Sequence, residues 1–276
     1  MAEIGDWRPL RGTHSIQMAS LSVTFAESVN DRPWRRIEKR IAESAAKHGL
    51  DARQPLQVIS MRIQPNAAPS IQPQQEAGFE FLRRASADFF AEKIQVMRNG
   101  VTFENWDYTR WAATKNKFSG LVKDAYEIYS EGVELSAISL SYADMFQATT
   151  TGFEADCSQI IDQQSRFIAP KAFTKTKPWH THCGWFEYPD AWTRRLRQVN
   201  IDIADARNPD GEFRIANIVT TANDQFGQEG RDSLPAGKGD WSDVVLRLQA
   251  CHETLKSTLG SILTKEASVA ISLKPQ

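Results

Sequence analysis

The sequence predicts an α+β protein with two similar halves, each an antiparallel sheet packed against one long helix. Apolar and polar residues alternate along many short segments, which indicates half-buried strands. Two longer segments, 106–129 and 241–259, instead carry apolar residues at the three- and four-residue spacing of an amphipathic helix. Each follows a residue typical of a helix N-cap, Asn105 or Asp240. This shared order predicts a pseudo-duplication.

The N-terminal half is expected at residues 1–148. Alternation predicts four strands, at residues 15–25, 56–63, 78–84 and 133–146. A helix is predicted at 34–48, because its apolar residues share one face and Gly49 is a typical C-terminal stop. Regularly spaced prolines indicate an extended loop at 66–75.

A hairpin is predicted within the same half, at residues 93–103. Asn99-Gly100 lies there between alternating apolar residues, and this dipeptide is the strongest short-range hairpin signal. The chain then reaches Asn105 and the helix predicted after it.

A polar, poorly patterned connector is expected at 149–177, followed by a C-terminal half at 178–276. Aromatic and β-branched residues predict strands in this second half, at residues 179–188, 192–204, 212–221 and 269–273. A glycine-rich stretch at 227–239 leads to the second long helix. Its segment Gly237-Lys238-Gly239 could receive an anion at the helix N-terminus or be only a flexible loop, and the loop is the favoured interpretation.

Composition places the 276-residue chain among globular proteins and sets limits on its partners. There are 33 Lys and Arg residues against 34 Asp and Glu residues, a formal net charge of -1. Such a balance disfavours a general polyanion binder, which needs a local excess of basic residues. Three scattered cysteines and no visible signal peptide or membrane span predict a soluble cytoplasmic protein without a membrane partner.

A metal site is one interpretation of Trp179-His180-Thr181-His182-Cys183. On a strand, His180 and His182 point to the same face, where two imidazoles could share a metal ion. No further ligand is evident nearby, so two half-exposed histidines between tryptophans are the favoured interpretation. No cofactor is predicted.

Basic residues adjoin aromatic ones in three places, beginning at Trp34, Phe81 and Trp192. Arginine and aromatic side chains together can bind nucleic acid or an acidic protein partner. The third group is the strongest candidate, because three arginines in four positions leave at least two on one strand face. Its members are Trp192, Arg194, Arg195 and Arg197. The alternative is that all three groups are solvated faces neutralised by nearby acids.

Known catalytic motifs are missing from the sequence, which disfavours an enzyme. There is no phosphate-binding loop, CxxC pair, HExxH motif or G-x-S-x-G elbow. Cys251 and His252 adjoin on the second long helix, where neighbouring side chains diverge by about 100°. His252 is therefore expected to be a core histidine bonded to the backbone or to an acid.

Short segments near both ends and in the centre of the chain form a recognisable set, which includes Gly12-Thr13-His14-Ser15-Ile16, Leu140-Ser141-Tyr142 and Leu248-Gln249-Ala250-Cys251-His252-Glu253. With them the chain resembles an uncharacterised, sporadically distributed bacterial protein family of similar length. The resemblance implies no established activity and no catalytic residues. Patchy distribution is typical of mobile or defence-related genes, so it suggests a bacterial defence or toxin-control system.

The leading expectation is therefore a non-catalytic cytoplasmic binding protein that acts through a protein partner or as a homo-oligomer. The alternative is a nucleic-acid-associated protein that uses Trp192 and its neighbouring arginines. A metal-dependent enzyme using His180 and His182 is the second alternative.

Overall fold

The computed structural model describes most of the chain. Its described residues are 4–56, 59–62, 70–73, 77–87, 89–174, 177–209, 211–227, 232, 234 and 238–273. The helices are α1 (Asp31–Lys47), α2 (Trp111–Ser130), α3 (Trp241–Gly260) and α4 (Lys265–Ala270). The strands are β1 (Trp7–Pro9), β2 (Ile16–Phe25), β3 (Ala52–Leu56), β4 (Ile59–Arg62), β5 (Ser70–Pro73), β6 (Gly78–Arg84), β7 (Phe90–Met97), β8 (Gly100–Asn105), β9 (Leu135–Ala148), β10 (Trp179–Glu187), β11 (Arg194–Asn208) and β12 (Gly211–Gln225).

The structure confirms a mixed α+β fold with a large antiparallel sheet. Contacts between Cα atoms divide the chain into two compact units that are not contiguous in sequence. Unit 1 comprises Met1–Ser20, Ile138–Lys238 and Asp243–Gln276, and unit 2 comprises Leu21–Ala137 and Gly239–Ser242. Among the described residues, no helix has the length and hydrophobicity that a membrane span requires.

In unit 2 the strand order is β2-β8-β7-β6-β3, so β3 ends this series of strands. Helix α1 buries Ile37, Ile41 and Ala45, which confirms the face predicted from its spacing. Gly49 has a φ of +73°, and the Leu50 amide donates to the Ala45 carbonyl, which completes the predicted helix stop.

The predicted hairpin is confirmed as β7 and β8, although its turn begins one residue earlier than the Asn-Gly pair. Met97 is paired with Gly100, so Arg98 and Asn99 form the connection. Glycine is required at position 100 for a different reason. A Cβ atom there would lie 2.6 Å from the Val23 carbonyl oxygen of β2.

The predicted start of α2 is wrong. Asn105 ends β8 instead of capping a helix, and α2 begins at Trp111. The Asn105 Oδ1 accepts from the Asp107 amide at 2.9 Å, and its Nδ2 donates to Thr114 Oγ1 at 3.2 Å. An asparagine makes this local turn as readily as it caps a helix, so its side chain orders the loop that precedes α2.

In unit 1 the strand order is β10-β11-β12-β9-β2, with β1 paired to β9. The segment predicted as a connector contributes to the core of this unit, because Cys157, Ile160, Ile161 and Ile168 are buried there. The extended loop predicted at 66–75 lies largely outside the described residues, apart from β5, which pairs with β4.

The strand predicted at 269–273 is wrong, because residues 269 and 270 end α4 and residues 271 and 272 form a turn. The Thr264 hydroxyl accepts from the Ala267 amide at 3.2 Å and so caps this helix. Consequently α2 is followed by a strand and α3 by a helix, and the structure does not confirm the two-half arrangement.

Candidate functional site

The predicted Arg–Trp segment lies at the start of β11 and divides between the two faces of that strand. Arg195 and Arg197 share one face, as strand alternation requires, and Arg194 points to the other. Arg195 is 7% exposed, and its guanidinium binds both oxygens of Asp224, with Nε–Oδ1 at 2.5 Å and Nη2–Oδ2 at 2.9 Å. The positive charge of Arg195 is therefore paired with a carboxylate inside unit 1.

The other three members of the segment also contact residues of their own unit. Arg197 Nη1 donates to Glu187 Oε1 at 2.8 Å, and its guanidinium lies 5.0 Å from the centroid of the Trp185 ring. The Arg194 guanidinium lies 4.7 Å from the Phe186 centroid. The amide of Trp192 donates to Asp190 Oδ1 at 3.2 Å. The structure thus does not gather the four residues on one face.

Arg247 of α3 extends the buried charges into a network. Its Nε donates to Asp243 Oδ2 at 2.9 Å, its Nη1 donates to the Thr193 hydroxyl at 2.9 Å, and its Nη1 lies 3.7 Å from Asp224 Oδ2. Burial opposes the charge of Arg195, but the hydrogen bond to Asp224 and the surrounding acidic groups together outweigh this effect, so the Arg195 pKa is raised. Such a network holds α3 against β11 and β12.

The surroundings of Cys251 and His252 disfavour a catalytic pair. Burial, followed by the negative charge of Asp224, raises the pKa of the Cys251 thiol to about 12, which disfavours the reactive thiolate. His252 is buried as predicted, but its Nδ1 lies 2.9 Å from the hydroxyl oxygen of Tyr142. Tyr142 is thus one hydrogen-bond partner of this core histidine.

The two histidines of the predicted metal site lie on the exposed face of β10. His180 is opposite Asp202 in the sheet, and His182 is opposite Asn200. The His182 Nδ1 contacts the Asn200 Oδ1. In the described part of the chain, no group of three or more His, Cys, Asp or Glu side chains could hold a metal ion.

Unit 2 contains an open cleft that sequence reasoning missed. It has a volume of about 790 Å³, which is within the range of about 300–1,000 Å³ that protein ligand sites occupy. The cleft lies beside the first half of α1 and along β3. Its lining consists of Asp31, Trp34, Glu38, Arg53, Gln54, Pro55, Gly78, Phe79 and Arg98.

Two aromatic rings form the apolar wall of the cleft. The centroids of Trp34 and Phe79 are 5.3 Å apart, with 47° between the ring planes. The Arg98 guanidinium lies 5.3 Å from the Trp34 centroid, and the Arg53 guanidinium lies 5.2 Å from the Phe79 centroid. Each ring is thus held by an arginine, which is a stabilising cation–π arrangement.

Each of these arginines is also bound to an acid that lines the same cleft. Arg98 Nη2 donates to Asp31 Oδ1 at 2.8 Å, and its Nη1 donates to the Val29 carbonyl at 3.1 Å. Arg53 forms an ion pair with Glu38. Among the described lining residues, the two cations are matched by two anions, so the cleft combines an aromatic wall with a rim of both charges.

The sequence indicates only one residue of this cleft, Trp34, and not the residues that contact it. Trp34 stands out because it adjoins Arg35 and Arg36, but Arg36 binds Glu131. The arginine that covers Trp34 is Arg98 of the β7–β8 turn. Only the fold brings them together; the hairpin signal at 93–103 was the available clue to that turn.

Comparison with known proteins provides no assignment. No protein-family model matches the chain, and no curated protein matches it.

Proposed function

We propose that this protein is a non-catalytic binding protein and that the unit 2 cleft receives a segment of a protein partner. The observation that carries the proposal is the Trp34–Phe79 wall with its two arginine–acid pairs. An aromatic wall can bury an apolar side chain of the partner, and charges of both signs can pair with polar groups on either side of it. Protein interfaces combine these same features.

The charge balance of the cleft favours a protein over a nucleic acid. A phosphate backbone requires uncompensated Lys or Arg side chains, but Asp31 and Glu38 neutralise Arg98 and Arg53. In unit 1, Arg195 is likewise committed to Asp224. A peptide carries a neutral backbone and side chains of either charge, so it has no such requirement.

The position of β3 favours an extended partner segment. This strand ends the series of strands in unit 2, and Arg53, Gln54 and Pro55 are exposed along the cleft. The edge of a sheet offers backbone groups to an added strand. Pro55 cannot donate a backbone hydrogen bond but retains its carbonyl, so the partner would bind mainly through side chains at that position.

Cysteine chemistry supports the non-catalytic part of the proposal. Cys157 and Cys251 are buried, and burial raises the pKa of both thiols. The bacterial defence or toxin-control setting rests on the family resemblance, and the cytoplasmic setting rests on the cysteine pattern and the missing signal peptide; both belong to the same proposal.

The proposal is tested by placing a photo-crosslinking amino acid at Gln54, inside the cleft. The matched control places it at Lys123, an exposed α2 residue of the same unit. In extract of the source organism, Gln54 is expected to give a discrete protein adduct that is absent with Lys123 and is lost when Trp34→Ala is added. Equal adducts from both positions, or an adduct that nuclease removes, would overturn the proposal.

We also propose that the two long helices derive from a duplicated strand–helix element. The strand β8 leads to α2, and β12 leads to α3, which supports this relation. Sequences of relatives in which 100–130 align with 211–260 would strengthen it, and relatives that lack one helix entirely would count against it.

A further inference from the structure

We infer that unit 1 contains a binding site for a phosphate group, separate from the unit 2 cleft. The site is an open cavity of about 580 Å³ beside the C-terminal end of α3 and the start of α4. Its lining consists of Asp162, Gln164, Ser165, Arg166, Gly260, Ser261, Leu263, Lys265 and Ser268.

Two serines provide the first observation. Ser165 is 6% exposed and Ser268 is 1% exposed, and both line the cavity. Among the described residues, neither hydroxyl oxygen has a hydrogen-bond partner. A buried hydroxyl without a partner costs free energy, and such a group in a folded protein commonly indicates a bound water, ion or ligand. A serine hydroxyl can turn about one bond to meet a ligand oxygen.

Two cations provide a second, independent observation. Arg166 and Lys265 are exposed at the cavity, and within the described part of the chain neither forms an ion pair. The Arg166 guanidinium lies 5.1 Å from the Phe167 centroid, which positions it without neutralising it. Arginine and lysine beside hydroxyl donors form the charge-assisted hydrogen bonds that recognise phosphate.

The single acid among the described lining residues does not cancel these charges. Asp162 Oδ1 accepts from the Gln164 amide at 2.9 Å, so one of its oxygens is already occupied. Two cations against one carboxylate leave an excess of positive charge. This differs from the unit 2 cleft, where cations and anions are equal in number.

Backbone contacts hold the two sides of the cavity in place. The Asp162 amide donates to the Ile262 carbonyl at 2.9 Å, and the Thr264 amide donates to the Ile160 carbonyl at 3.0 Å. A bridge between Ile161 and Leu263 lies between these bonds. Preorganisation lowers the entropy cost of ligand binding. The remaining hydroxyl, that of Ser261, donates to the Thr258 carbonyl at 2.7 Å and fixes the end of α3.

The cavity is larger than a phosphate ion, so the phosphate can be free or part of a small ester. Calorimetric titration of the full chain with inorganic phosphate and with glycerol 3-phosphate distinguishes these sources. Sodium chloride and glycerol at matched ionic strength are the controls. Binding of inorganic phosphate assigns the free anion, whereas binding of the ester alone assigns a phosphate ester. If neither differs from the controls, the inference is overturned.

Variants test the assigned residues. Lys265→Gln and the double variant Ser165→Ala/Ser268→Ala are each expected to weaken phosphate binding by at least tenfold. Lys256→Gln removes an exposed charge from α3, outside the cavity lining, and should change affinity by less than twofold. Because the two serine hydroxyls have no partners, their removal should leave the thermal midpoint without phosphate unchanged or higher. Equal effects of Lys265→Gln and Lys256→Gln would overturn the assignment.

Discussion

The Ser15 hydroxyl donates a 2.6 Å hydrogen bond to Asp144 Oδ1, deep inside unit 1. Asp144 is 1% exposed, and its second oxygen, Oδ2, has no partner among the described residues. A single hydrogen bond from a neutral hydroxyl does not compensate for removing a carboxylate from water. Burial therefore raises the pKa of Asp144 from its ordinary value of 3.8 to about 7, although the bond from Ser15 acts in the opposite direction.

Asp144 is expected to make the protein less stable as the pH rises from about 4 to about 7. In this window the folded chain holds a proton on Asp144 that the unfolded chain has released, so the free energy of unfolding falls with pH. The total change is on the order of 4 kcal/mol, and it is complete above the folded pKa. Urea denaturation at a series of pH values measures it.

The Asp144→Asn variant removes this titration. It should flatten the stability profile between pH 4 and pH 7 and should be more stable than the parent protein at pH 8. The control is Asp202→Asn, at an exposed position of β11. A parent profile that rises through this window, or an unchanged profile in Asp144→Asn, would contradict the prediction.

Asp224 is expected to be the most sensitive member of the buried arginine network. Its carboxylate binds Arg195 through two hydrogen bonds and lies 3.7 Å from Arg247. Asp224→Asn would leave the buried Arg195 and the partly buried Arg247 without this shared anion, so it should cost about 3–5 kcal/mol of unfolding free energy. Arg195→Met should cost less unfolding free energy, because Asp224 keeps its ion pair with Arg247.

The double variant Arg195→Met/Asp224→Leu completes the test. Replacing a buried ion pair by apolar side chains is often tolerated, so the double variant should be more stable than Asp224→Asn. Glu131→Gln, which breaks the exposed pair with Arg36, serves as a control and should leave the denaturation midpoint unchanged. Equal effects of Glu131→Gln and Asp224→Asn would refute this account of the network.

Sequence patterns predicted elements whose signals are local. The β7–β8 hairpin and the apolar face of α1 follow from residues that are near neighbours in the chain. Strand parity also places Arg195 and Arg197 on one face of β11. Parity does not tell which face of β11 is covered by other elements. The face of Arg195 and Arg197 is the covered one, and Asp224 and Thr258 are their partners there. The arginines that were predicted to form a basic surface thus belong to an internal network of ion pairs.

Elements with ambiguous signals were predicted less well. Asn105 can cap a helix or close a turn, and the two roles use the same side-chain oxygen. The short apolar run at 269–273 suits a strand or a helix, and its first two residues belong to the helix that the Thr264 hydroxyl caps. No sequence pattern predicts the cleft, because Trp34, Phe79 and Arg98 are brought together only by the packing of α1 within unit 2.

Gly100 is expected to tolerate no side chain. An alanine Cβ would lie 2.6 Å from the Val23 carbonyl oxygen and 3.2 Å from the Thr24 Cα atom, so β2 and β8 would have to separate. Gly100→Ala should cost about 1–3 kcal/mol of unfolding free energy. The matched control is Gly132→Ala, where no described residue beyond the two chain neighbours comes within 4 Å of the added Cβ. If the denaturation curves of the two variants coincide, β2 can move without loss of unfolding free energy, and the prediction is wrong.

Cys183 is expected to be the thiol that reacts first in the folded protein. Cys157 and Cys251 are buried, whereas Cys183 is partly exposed on β10. Burial raises the pKa of all three thiols, and that of Cys251 reaches about 12. An aromatic disulfide reagent at pH 8 should therefore modify one thiol slowly, and all three thiols rapidly in urea. Cys183→Ser should abolish the native reaction. Fast modification of Cys251 in the folded chain would instead reveal an activated thiol and would also weaken the non-catalytic proposal.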